Sequence, residues 1–110
     1  MEDSRELAGY QRAFLLRQAH RLKAVATVGK QGPSESVHRH VDQELDNHEL
    51  IKVRFSDYKD ARREIARDLS NQLQARLVAV VGHVAILYRP ARDPERQKLH
   101  LPQRPRGDSP

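Results

Sequence analysis

A single proline, Pro33, stands before position 90, while the other five fall at 90, 94, 102, 105 and 110. Proline removes a backbone donor and clashes with the preceding helical turn, so regular structure can run almost unbroken up to residue 89 and hardly beyond it. Within that stretch the apolar spacing switches repeatedly between a period near four and a period of two. Such switching predicts alternating helices and strands, and a length of 110 residues allows one domain with one compact body.

The spacing predicts a first helix from about Tyr10 to Arg21, with Leu15, Ala19 and Leu22 on one stripe and Phe14 widening it. Ala24 to Val28 reads as a short buried strand ended by the turn Gly29-Lys30-Gln31-Gly32. Ser34 is the expected N-cap of a second helix whose Val37, Val41 and Leu45 recur every four residues, opposite Glu35, Asp42, Glu44 and Asp46. Leu50 to Phe55 predicts a strand with Ile51, Val53 and Phe55 on one face and Lys52 and Arg54 on a basic, water-facing side. A third helix is expected after Asp57 as far as about Gln74, on the stripe Ala61, Ile65, Leu69 and Leu73. Its Arg62, Arg63 and Arg67 are read as partners of Glu64 and Asp68 or as a secondary patch. Arg76 to Val81 and Val84 to Tyr88 form a hairpin signal around Gly82-His83. The expected fold is α/β: a two-layer αβαβαββ arrangement in which a four-stranded mixed sheet carries the crossover helices on one face. The body is assigned to residues 1–90, and 91–110 to a Pro/Arg-rich, mostly solvated tail.

Twenty Lys and Arg against fifteen Asp and Glu leave a net charge of +5. Only five of those cations are lysines, and arginine's planar fork suits phosphate oxygens and base stacking, which favours a nucleic-acid partner over an acidic small molecule. Zero cysteines exclude a disulfide scaffold, thiolate metal sites and a Cys nucleophile. No apolar run approaches the roughly twenty residues that span a bilayer, and the opening residues are acidic, unlike a signal peptide. The expectation is a cytoplasmic protein without a membrane partner.

Candidate chemistry is sparse. Ser34, Ser36, His38 and Asp42 contain the letters of a nucleophile, base and orienting acid, but one short helical segment cannot converge them, so no enzyme is expected. His40, Glu44 and His48 have a spacing that aims side chains from one helical face, yet such histidines are usually solvated and no metal or other cofactor is expected. The most informative feature is the strand-to-helix turn Gly29, Lys30, Gln31, Gly32. It is too short for a Walker A loop and lacks the third glycine of a dinucleotide fingerprint. Two glycines permit close backbone approach, the N–H groups at the start of the second helix favour an anion, and Lys30 projects a cation from the tip. Arg12, Arg17, Arg21, Lys23 and Lys30 are read as a basic strip continuing onto Lys52 and Arg54. Tyr88 beside Arg89 is weighed as a base stacker and read as core or edge packing.

An ordered set of short runs adds to this. Gln11-Arg12, Leu16-Arg17, Ala19-His20 and Leu22-Lys23 precede Val28-Gly29-Lys30-x-Gly32, and His48-Glu49-Leu50-Ile51-Lys52-Val53, Val81-Gly82 and Leu87-Tyr88-Arg89-Pro90 follow. Together, over about Leu7 to Pro90, they resemble the YhbY-like family, the bacterial single-domain form of the CRM domain, named for chloroplast RNA splicing and ribosome maturation. The resemblance implies a fold akin to the C-terminal domain of translation initiation factor three. It also implies RNA binding through a loop likened to that of KH domains, here Gly29, Lys30, Gln31 and Gly32, and association with ribosomal RNA in precursors of the large ribosomal subunit. Leu99-His100-Leu101-Pro102 resembles the family's closing segment and is expected to pack back on the body of a monomer. Three positions depart from the family pattern: Ala24 stands where proline is frequent, Pro33 where leucine is usual, and Leu73-Gln74-Ala75 where Thr-Gly-Ala is common. Without that glycine the third helix is expected to end in a reshaped way, with no left-handed residue at Gln74. The competing expectation is a protein-interaction adaptor that recruits an assembly factor through the acidic second helix and the apolar tail segment.

Overall fold

The computed structural model describes residues 7–103; residues 1–6 and 104–110, the outer parts of the expected body and tail, lie outside that range. The elements are α1 (Gly9–Ala19), β1 (Ala24–Val28), α2 (Glu35–His48), β2 (Leu50–Phe55), a 3-10 turn (Lys59–Ala61), α3 (Arg62–Gln72), β3 (Arg76–Val81), β4 (Val84–Tyr88) and a 3-10 turn (Pro94–Arg96). Ser34 caps α2 as expected, its Oγ accepting from the N–H of Val37 at 3.3 Å. The four strands form one mixed sheet in the order β1-β2-β4-β3. β1 and β2 are parallel, and β4 is antiparallel to both β2 and β3, so β1, β2 and β3 all point one way. Among the described residues no helix is long and apolar enough to cross a membrane.

The expected pairing of sheet and crossover helices holds the larger core: Val41 and Leu45 of α2 and Ala66 and Leu69 of α3 meet Val28, Val53, Phe55 and Leu87. Each of the valine, leucine and phenylalanine side chains, buried in full, is worth roughly 1.5–3 kcal/mol. The second face of the sheet is covered as well. Leu15 and Ala19 of α1 pack on Leu50, Val78, Ile86 and Tyr88, with Leu99 and Leu101 beside them. β4 is therefore apolar on both sides, Ala85 and Leu87 facing one cluster and Ile86 and Tyr88 the other. That is the sequence signature of a central strand. Burial, and then the Glu49 carboxylate, raise the phenol of Tyr88 above its ordinary value, with Arg76 opposing them.

Both edge strands carry a register shift, between Ala24 and Ala26 in β1 and between Leu77 and Ala79 in β3. In each case a side chain reaches the carbonyl of the intervening residue: His40 Nε2 lies 2.7 Å from Val25 O, and Arg12 Nε donates to Val78 O at 3.0 Å. Bulges of this kind twist an edge away from open pairing.

The end of α3 corrects one expectation. Gln74 has φ 57, in the left-handed region, although it is not glycine. Its N–H donates to Asn71 O at 3.2 Å and that of Ala75 to Ser70 O at 2.8 Å, the paired bonds of a Schellman ending. Arg89 Nη1 also donates to the Leu73 carbonyl at 2.9 Å. Two closing bonds and a buried cation outweigh the strain that an L residue bears there, so the helix keeps the shape for which glycine is the usual choice.

Arg89 is itself buried and joins three elements, with Nη1 on Asp42 Oδ1 at 2.7 Å and Nη2 on Asp46 Oδ1 at 2.8 Å and on the Asp42 carbonyl at 3.0 Å. Glu49, also buried and with φ 68, accepts from the N–H groups of Ala91 at 2.7 Å, Lys98 at 2.9 Å and Leu99 at 2.8 Å. Gln11 Nε2 adds a bond to the Pro102 carbonyl at 3.4 Å. The segment after β4 is thus strapped across α1.

Candidate nucleic-acid interface

Because β1, β2 and β3 point the same way, the segments that follow them meet at one end of the sheet: Gly29 to Gly32, Ser56 to Tyr58, and the hairpin turn at Gly82-His83. The glycine turn is closed by the N–H of Gly32 donating to Gly29 O at 2.9 Å. Gly32 is buried with φ 73, and the N–H of Ser34 donates to its carbonyl at 2.8 Å. These bonds narrow the expected anion site. The amides of Gly32 and Ser34 are occupied, whereas those of Lys30 and Gln31 at the tip, and of Glu35 and Ser36 in the first turn of α2, have no partner among the described residues. Only Gly32 needs glycine for its backbone; a Cβ on Gly29 would stand 3.6 Å from Ser56 Oγ, an ordinary contact.

Tyr58, which sequence reasoning did not single out, braces this turn from the neighbouring strand connection. Its Oη donates to the Lys30 carbonyl at 2.6 Å, and the same edge of the ring lies where a Cβ on Gly32 would come within 3.3 Å of Oη. Ser56 continues the brace, its N–H donating to Val28 O at 3.0 Å. A tyrosine just after a strand reads as a connecting residue, and nothing local announces a contact across 28 positions of sequence.

The basic residues separate into two groups. Lys30 is exposed at the tip, and Arg54, also exposed, lies in register with Thr27 two residues below the turn. Lys52 is half-buried, its Nζ donating to Leu22 O at 2.9 Å, which draws the exposed Arg21 and Lys23 of the α1–β1 connection towards β2. Arg17 is exposed on α1. Arg12 belongs elsewhere, since its bond to Val78 ties it to the β3 edge, across the sheet from β1. The side of β2 carrying Lys52 and Arg54 is thus partly roofed by α1 and not an open basic face.

Most of the remaining candidates are engaged within the fold, while Arg63 and Arg67 stand exposed on α3. Arg62 Nη1 donates to Gly82 O at 2.8 Å, and among the described residues none of Arg62, Arg63 and Arg67 pairs with Glu64 or Asp68, so the first of the two expected readings is not met and the second, a separate basic patch, is the one compatible with the exposed Arg63 and Arg67. His40 faces Val25 O, while His48 Nε2 lies 3.4 Å from Glu44 Oε1. Ser34 is spent on its cap and Asp42 on Arg89. Tyr88 is buried in the core and Arg89 in its ion pairs, so neither reaches the surface to stack a base. Of the residues in the adaptor reading, Asp42 and Asp46 hold Arg89 and Leu99 and Leu101 pack beside α1, while Glu35 stays exposed on α2.

Comparison with known proteins places this arrangement. A probable RNA-binding protein of Methanocaldococcus jannaschii is 39% identical over 109 residues, covering 96% of this chain and 78% of the relative. An RNA-binding protein of Haemophilus influenzae is 32% identical over 99 residues, covering 89% and 97%. The solution structure of a hypothetical Staphylococcus aureus protein, proposed to bind RNA, superposes with a TM-score of 0.74 at 31% identity over 88% of this chain and 100% of that one. The profile of the CRS1 / YhbY (CRM) domain matches residues 7–89, from just before α1 through the buried Arg89. The chain belongs to the CRS1/YhbY (CRM) domain family.

Proposed function

We propose that the protein is a non-catalytic RNA-binding protein of the cytoplasm that acts as a monomer. In this reading it contacts ribosomal RNA in precursors of the large ribosomal subunit and serves in their assembly. The observation that carries the reading is the turn from Gly29 to Gly32. It is braced from beneath, exposes Lys30, and leaves the amides of Lys30 and Gln31 free to meet a phosphate. Arg54 beside it, and Lys52, Arg21, Lys23 and Arg17 farther along β2 and α1, extend the positive surface on which phosphates are held without sequence preference. The net charge of +5 and relatives named for RNA binding support the same partner.

The test is fluorescence anisotropy with purified ribosomal RNA fragments across a salt series. Lys30→Glu should weaken binding at least tenfold at moderate salt and lower the slope of log affinity against log salt by about one, with an unchanged unfolding transition. Equal affinity for the variant would remove the loop from the interface. Sucrose-gradient sedimentation of tagged protein from its own lysate addresses the ribosomal part. Nuclease-sensitive migration with immature large subunits is expected, and sedimentation only at the top in gentle salt would refute it.

A further inference from the structure

Tyr58 holds a left-handed backbone, φ 60 and ψ 46, which a bulky aromatic residue adopts only when its surroundings impose it. Three bonds impose it here: its N–H donates to Asp57 Oδ1 at 2.7 Å, its carbonyl accepts from Ala61 at 3.0 Å, and its hydroxyl donates to Lys30 O at 2.6 Å. The result sets a rigid aromatic ring against the glycine turn, one edge resting over Gly32, while the residue remains 37% exposed. Such a ring is neither core nor a solvated loop side chain. It stands beside the one cation of the turn, the exposed Lys30, with the free amides of Lys30 and Gln31 on the same loop.

We infer that Tyr58 is a stacking platform for one unpaired RNA base, so that the turn takes a phosphate at Lys30 while the adjoining base lies on the Tyr58 ring. This rests on the RNA-binding reading above and narrows its partner to RNA presenting an unpaired nucleotide. In a regular A-form duplex the base faces are stacked on one another and closed to a side chain, whereas a loop or bulge offers them. Stacking on an aromatic face tolerates any base, so the platform itself adds affinity without sequence preference. The hydroxyl bond serves the platform by fixing the ring's orientation before RNA arrives.

The experiment uses the full chain with an RNA hairpin carrying 2-aminopurine in its loop, and a blunt duplex of equal length. Three variants are compared: Tyr58→Asn, which tolerates the left-handed backbone but has no ring, Tyr58→Phe, which keeps the ring without the hydroxyl, and Lys30→Glu. Wild type should quench the loop fluorophore and prefer the hairpin. Tyr58→Asn should lose the quenching and about tenfold in hairpin affinity while duplex binding stays within twofold, and Tyr58→Phe should retain the quenching. If Tyr58→Phe fails as Tyr58→Asn does, the residue only positions the loop and stacking is overturned. If Tyr58→Asn binds and quenches like wild type while Lys30→Glu loses affinity, stacking is overturned and the RNA-binding loop stands. Should none of the three variants change binding, the loop reading falls and the inference with it.

Discussion

Left-handed residues mark the places where this chain bends against its own preference. Gly32 and Gly82 occupy that region freely, whereas Glu49, Tyr58 and Gln74 are held there by contacts. The three differ in purpose: Glu49 aims a carboxylate at the closing segment, Tyr58 braces the glycine turn, and Gln74 ends α3. Only the last performs a task that glycine performs better. Gln74→Gly should therefore stabilise the protein by about 1 kcal/mol, measured by urea denaturation, because the backbone strain disappears while both closing bonds of the helix remain. A loss of stability would mean that the glutamine side chain contributes more than its backbone costs. The missing glycine was visible in the sequence, but its consequence was not. Whether a strained residue is tolerated depends on the bonds that oppose the strain, and Arg89, fifteen positions away, supplies one of them.

Elements announced themselves through period, and their junctions through glycine, proline and serine. Pro33 and Ser34 mark the start of α2, and Gly82-His83 the β3–β4 turn. β4 carried the extra information that a strand apolar on both faces must be central, and that implies a cover on each side of the sheet. The cover on the second side is α1, and the basic side of β2 is consequently less open than its alternation predicts. What ties elements together was less legible. Arg89 belongs to a tail-like run of arginines in sequence, yet in space it links the end of β4 to α2 and to the last turn of α3. Arg89→Met should lower stability by roughly 3 kcal/mol in chemical denaturation, since it leaves the Leu73 carbonyl unpaired and two carboxylates with only the more distant Arg92. A loss below 1 kcal/mol would show that solvent serves those carboxylates as well as the guanidinium does.

At the scale of the whole molecule, the two ends of the sheet have different work. The carboxyl ends of the parallel strands gather the glycine turn, Tyr58 and the hairpin, while the opposite end gathers Glu49, the end of α3 and the returning segment. Glu49→Gln tests the second arrangement. A neutral amide oxygen accepts less strongly than a carboxylate, so the amides of Ala91, Lys98 and Leu99 should lose protection in hydrogen exchange, with about 1–2 kcal/mol of stability. Unchanged protection would place the hold on Leu99 and Leu101 instead. The order of elements, the apolar stripes, the N-cap of α2 and the turns are local, each written in spacings of two to four residues, and the excess of arginine is plain composition. Packing in three dimensions settled that Arg12 closes a bulge at the far edge and that Lys52 ties down the α1–β1 connection, and likewise that Arg89 is buried and Tyr58 stands under Lys30. Those roles depend on partners 16 to 66 positions away. A side chain's environment is set by what the sheet brings beside it, and local pattern carries no record of that.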